Sequence, residues 1–100
     1  METFYVAKIF KSLCDENRVA IIELLKTGDK CACEIAESLN IAQSKLSYHM
    51  KILCESGLVE SWYIGKWTYY KISQSGINTA ISILQNMAIV DTQEKKISNC

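Results

Sequence analysis

Proline is absent from this 100-residue sequence, histidine occurs once, and neither sign of charge prevails, with 11 basic against 11 acidic side chains. There is no low-complexity tract or internal repeat either, which leaves the four glycines as the punctuation between elements. No apolar run approaches the roughly 18 residues of a membrane helix. The N-terminal stretch carries Glu2, Lys8, Lys11 and Asp15 without an apolar segment or small-residue cleavage site, so it does not read as a secretory signal. A cytoplasmic protein without membrane contact is expected. A lone histidine, no nucleotide-binding loop and no Cys-x-x-Cys leave little from which to build an enzyme.

What is present describes a globular chain, 49% hydrophobic and 22% charged. One domain of this size buries only about two-thirds of its unfolded-state surface, so help from a second subunit is expected. The five cysteines (Cys14, Cys31, Cys33, Cys54, Cys100) are an odd number, against a closed disulfide framework. In a reducing cytosol they are thiols or metal thiolates. The zero net charge speaks against a strong nucleic-acid binder, but its distribution is uneven. Residues 1 to 42 carry five basic and seven acidic groups, and residues 43 to 71 carry four (Lys45, Lys51, Lys66, Lys71) and two (Glu55, Glu60).

Periodicity predicts mostly helix. Val6, Ile9, Phe10 and Leu13 make an amphipathic helix of residues 3 to 13. Asp15 is the expected N-cap of a second helix through Lys26, with Val19, Ile22 and Leu25 inward and Gly28 ending it. A short third helix runs from about Cys33 to Leu39 and stops near Asn40. After a turn at Ile41 and Ala42, a fourth spans about Gln43 to Glu55 with Leu46, Met50 and Leu53 on one face, closed by Gly57. The period then drops to two. Residues 58 to 63 and 67 to 72, rich in aromatic and β-branched side chains, flank a turn with Gly65 and predict a two-stranded hairpin. From Ser75 to about Ala88, Ile77, Ala80, Ile81, Leu84, Met87 and Ala88 form an apolar stripe, part of which is assigned with the first helix to a dimer interface. Residues 1 to 90 make one domain and 91 to 100 a loose polar tail.

Two helices joined by a tight turn and followed by a hairpin describe a winged helix-turn-helix, mainly α with a small β wing, whose second helix enters the major groove. With Leu46, Met50 and Leu53 inward, Gln43, Ser44, Ser47, Tyr48 and Lys51 point outward. Glutamine pairs bidentately with adenine, serine with phosphate or base, and lysine with guanine or phosphate. Lys66 at the hairpin tip is a phosphate contact by position. His49 is read as a packing or phosphate-contact residue of the same helix, not a metal ligand. Most of Trp62, Tyr63, Trp67, Tyr69 and Tyr70 are assigned to strand packing.

At this point the chain resembles the ArsR/SmtB family of metal-sensing repressors over about residues 4 to 88. The segments that carry the likeness are Phe10-Lys-Ser-Leu-Cys-Asp-Glu-Asn-Arg18, Lys30-Cys-Ala-Cys-Glu-Ile35, Ser47-Tyr-His-Met-Lys-Ile-Leu53 with Gly57-Leu-Val, and Gly65-Lys-Trp-Thr-Tyr-Tyr70. The resemblance implies a homodimeric repressor on palindromic double-stranded operator DNA, released when metal binds. Cys31-Ala-Cys33 is similar to the arsenic-, antimony- or cadmium/lead-sensing branch, which implies arsenite or antimonite as inducer, with Cd(II) or Pb(II) also in range. That pattern often has a third cysteine three positions on, where this chain has Ala36. The acid-and-histidine zinc site of some members has no counterpart, since residues 74 to 90 contain no His, Asp or Glu.

Soft thiolates select ions of this kind. A helix N-terminus and the adjoining Lys30 are expected to favour thiolate at the pair. Residues two apart on a helix lie about 200° around the axis, so Cys31 and Cys33 share one ion only if the first turn unwinds or starts later. Binding would then shift the next helix. For the third donor, Cys100 or an external small thiol ranks ahead of Cys54 and Cys14. The competing reading on the same fold is a redox or reactive-sulfur sensor. A structural zinc module lacks a second cysteine pair to close the site.

Overall fold

A computed structural model describes residues 2 to 91. The element order is α1 (Thr3–Lys11), α2 (Glu16–Leu25), β1 (Lys30–Cys31), α3 (Ala32–Leu39), α4 (Gln43–Glu55), β2 (Val59–Ile64), β3 (Trp67–Ile72) and α5 (Gln74–Met87). The helix pair α3–α4 and the following strands make a winged helix-turn-helix. The expected tail, with Cys100, lies outside the described residues.

Local chemistry explains the helix boundaries. Ser12 ends α1 by turning its hydroxyl back onto the Ile9 carbonyl, at 2.6 Å. Asp15 then caps α2, its carboxylate accepting the backbone N–H groups of Asn17 and Arg18 at 2.8 and 3.3 Å. Asn40 closes α3 in the left-handed conformation, φ 53°. Ser73 caps α5 by accepting the Gly76 N–H.

Two expectations about packing are corrected. The inward face of α2 is Arg18, Ile21 and Leu25, with Val19 43% exposed and Ile22 only partly covered. The face is rotated because Arg18, a residue that hydrophobic periodicity counts as outward, is buried by polar partners. The wing, in turn, is a three-stranded antiparallel sheet, order β1-β3-β2, not a bare hairpin. Lys30 pairs with Tyr70 and Cys31 with Tyr69. A two-residue strand has no period to read.

The interior has two parts. Ile21, Leu25, Ile35, Leu46, Met50, Leu53 and Val59 bring α2, α3, α4 and the sheet together. A smaller cluster of Ile9, Leu58, Ala80 and Ile83 joins α1 to α5. That second layer covers only one side of its helices. Phe4 stays 74% exposed, and Ile81, Leu84 and Met87 stay 46%, 54% and 61% exposed. Gly76 lets α5 approach the chain closely: a Cβ there would collide with the Gly57 carbonyl.

Candidate nucleic-acid interface and dithiol site

The helix α4 is held from behind by Leu46, Met50 and Leu53, each almost fully buried. Its opposite side leaves Gln43, Ser44, Ser47, Tyr48 and Lys51 exposed as a polar, weakly basic face, to which Lys45 also belongs. These types donate and accept hydrogen bonds at base edges and phosphates. Lys66 stands at the β2–β3 turn, its ammonium 5.6 Å from the Trp67 ring centre, and Lys71 lies similarly over Trp62. The aromatic residues divide. Trp62 and Tyr69 stack with centroids 5.9 Å apart and Tyr70 packs on the core, whereas Tyr63 and Trp67 face outward, 75% and 50% exposed.

His49 does not share the outward face. It is 3% exposed, and its Nδ1 lies 3.0 Å from an Arg18 guanidinium nitrogen. Arginine has only donors to offer, so Nδ1 accepts and the ring is neutral with its proton on Nε2. Arg18 also donates from Nε to the Ser12 carbonyl at 2.7 Å. The end of α1, the start of α2 and the middle of α4 are thereby tied by one buried guanidinium. Burial lowers the His49 pKa, with repulsion from Arg18 and Lys45 adding and the Asp15 carboxylate opposing. Its Nε2 is buried without a partner among the described residues. Sequence reading missed Arg18 because an arginine between apolar residues carries no sign of being inside.

The cysteine pair differs from expectation in an instructive way. Cys31 belongs to the strand β1 and is the extended N-cap of α3, with φ −84° and ψ 160°. The helix therefore begins after it, and the 200° separation never applies. Sγ of Cys31 and Sγ of Cys33 lie 2.7 Å apart in the reduced protein. Glu34 fixes this arrangement, its carboxylate accepting the Cys31 N–H at 2.8 Å in a capping box. Cys31 is buried and Cys33 exposed, so the pair opens to solvent on one side. The expected bias to thiolate is not found at Cys33. Its hydrogen bond to the Cys31 sulfur, with desolvation and the neighbouring charge, pushes the Cys33 thiol up. The two sulfurs hold a proton between them more readily than two negative charges.

Neither other described cysteine joins them. Cys54 is half-buried at the end of α4, where its thiol meets Ser61 and is pushed up by burial. Ser61, Tyr70 and Lys30 form one row of the sheet, and Trp62, Tyr69 and Cys31 the next. Side chains of adjacent rows point to opposite faces, so Cys54 and Cys31 are on different sides. Cys14 is exposed before α2, whose far end leads to Cys31. Among the described residues, no three His, Cys, Asp or Glu side chains converge as a metal cage. Ala36 is buried within α3.

Comparison with known proteins gives the same picture. The sequence profile described as bacterial regulatory protein, arsR family, matches residues 15–61. A protein of Bacillus subtilis strain 168 named arsenical resistance operon repressor is 39% identical over 74 residues, covering 73% of this chain and 70% of its own. A Staphylococcus aureus protein of the same name is 32% identical over 91 residues, 91% of this chain and 85% of its own. Among solved structures, the homodimeric winged helix-turn-helix DNA-binding domain of a possible ArsR-family regulator from Mycobacterium bovis superposes with a TM-score of 0.69. It shares 27% identity and covers 84% of this chain and 78% of its own. Profile, relatives and architecture agree on a transcriptional regulator, and the chain belongs to the ArsR family of bacterial regulatory proteins.

Proposed function

We propose that the protein is a homodimeric repressor that binds palindromic double-stranded operator DNA through α4 and the wing, and that a soft ion on Cys31 and Cys33 releases it. The observation that carries the sensing half is the 2.7 Å approach of the two sulfurs at the junction of α3 and the wing sheet. As(III) or Sb(III) is the expected inducer, with Cd(II) or Pb(II) chemically suited to the same thiolates. The names of the arsenical-resistance relatives support that choice.

Cys31 is both the cap of α3 and the edge-strand partner of Tyr69. A ligand that displaces its sulfur acts on the helix that positions α4 and on the strand that bears the wing aromatics. A coupling of about 1 to 3 kcal/mol would weaken DNA binding roughly 5- to 150-fold. For the third donor, Cys100 of residues 91 to 100 or an external small thiol ranks ahead of Cys54 and Cys14, which lie elsewhere in the same protomer and would have to come across from the partner subunit. Dimerisation through α1 and α5 is supported by the uncovered Phe4, Ile81, Leu84 and Met87 and by an apolar cleft of about 680 Å³ between these helices. Residues 1 to 90 then form one DNA-binding and dimerisation domain, acting in the reducing cytoplasm.

Arsenite titrated into the complex with a duplex selected from a random pool tests this. Wild type is expected to release the duplex, and Cys31→Ser with Cys33→Ser to bind it and not let go. Normal release by the double variant would sink the reading. The same close dithiol favours a second reading, oxidation or persulfidation of the pair. Release by a persulfide donor but not by arsenite under reducing conditions would favour that one.

A further inference from the structure

Arg18 is a buried cation, 8% exposed, and no carboxylate among the described residues lies within ion-pair distance of it. Its engaged nitrogens meet a neutral imidazole and a carbonyl, and the Asp15 carboxylate, which feels the guanidinium's charge and accepts the Arg18 backbone N–H, makes no ion pair with it. Beside it a cleft of about 280 Å³ opens between α1 and α4, lined by Lys8, Lys11, Ser12, Arg18, Tyr48 and Glu55. Three cations against one carboxylate leave the cleft net positive. Tyr48 belongs both to this cleft and to the outward face of α4, so the two surfaces are continuous. The linear sequence hides this, because Lys8 and Lys11 lie in its acidic first part.

We infer that this cleft receives a backbone phosphate of the bound duplex, with Lys8 and Lys11 as its ligands and Arg18 supplying field from behind. The inference rests on the DNA-binding reading and extends it from α4 and the wing to α1. Charge complementarity and continuity with the α4 face select DNA as the occupant. Lys8 is half-buried and Lys11 exposed, so both ammonium groups can follow a phosphate at the cleft mouth. A phosphate contact carries no sequence information, which makes the expected signature distinct from that of Gln43 or Ser44.

The test is a set of fluorescence anisotropy titrations at several salt concentrations, on a random-sequence duplex and on one selected from that pool by the wild type. Lys8→Gln with Lys11→Gln should make the log–log salt slope shallower by about 1 per protomer, the contribution of one neutralised phosphate. Affinity should fall by the same factor on both duplexes, with the urea midpoint unchanged. Glu55→Gln, which removes the one carboxylate among the described residues that line the cleft, should tighten binding to both. An unchanged slope and affinity in the lysine variant, while the wild type binds, would overturn the cleft and leave the α4 reading intact. Stabilisation by inorganic phosphate with no effect of the lysines on DNA affinity would make it a small-anion site and overturn the inference too. Failure of the wild type to bind either duplex would remove both readings.

Discussion

The guanidinium of Arg18 is predicted to hold α4 in place, and its removal gives a sharp test. Arg18→Met keeps most of the aliphatic stem and deletes the donors, leaving His49 Nδ1 and the Ser12 carbonyl without their bonds of 3.0 and 2.7 Å. An orphaned buried polar group costs about 1 to 3 kcal/mol, so the two together cost roughly 2 to 6 kcal/mol. Against a total stability of about 5 to 15 kcal/mol for a domain, that is a large loss. His49→Leu alone leaves Arg18 short of one acceptor but removes the partnerless Nε2. In the double variant neither His49 nor Arg18 is left to be orphaned, so the two costs should fall short of additivity by about 2 to 6 kcal/mol. Urea unfolding of the four proteins at fixed protein concentration measures the cycle. Additivity within about 0.5 kcal/mol, or a loss for Arg18→Met below that figure, would refute the idea that this pair ties α2 to α4.

Acid should weaken the fold through His49: its native ring is held neutral while the unfolded one protonates at the ordinary value of 6.5, so stability is complete above that pH and is lost as pH falls through the depressed native value. His49→Leu should flatten urea midpoints across that window, and an unchanged slope would count against the assignment. Cd(II) affinity, read from thiolate absorbance, should climb with pH because the ion must displace the proton held up at Cys33, by about tenfold per pH unit for each proton displaced. A flat profile would contradict a shared proton. Gly76→Ala should lower stability by about 1 to 3 kcal/mol or more, since its methyl group meets the Gly57 backbone rather than a movable side chain. A neutral result in thermal melts would show that α5 shifts freely.

Much of the architecture was legible because it rests on rules that operate along the chain. Asp15, Asn40 and Gly57 mark boundaries by cap and turn chemistry, and Leu46, Met50 and Leu53 orient α4 by the helical period alone. From that period Gln43, Ser44, Ser47, Tyr48 and Lys51 follow as the outward face. The cysteine spacing named the chemically distinctive pair. Tertiary structure decided what depends on groups distant in sequence. Pairing of Cys31 with Tyr69, 38 positions apart, makes the residue a strand end rather than a helical one, and so brings the sulfurs together. Burial of Arg18 depends on His49, and the absence of His49 from the outward face of α4 follows from that contact. The position of Lys8 and Lys11 beside Tyr48 is likewise set by how α1 packs. Periodicity records which side chains avoid water, whereas polar pairing and strand register are settled only when separate segments meet.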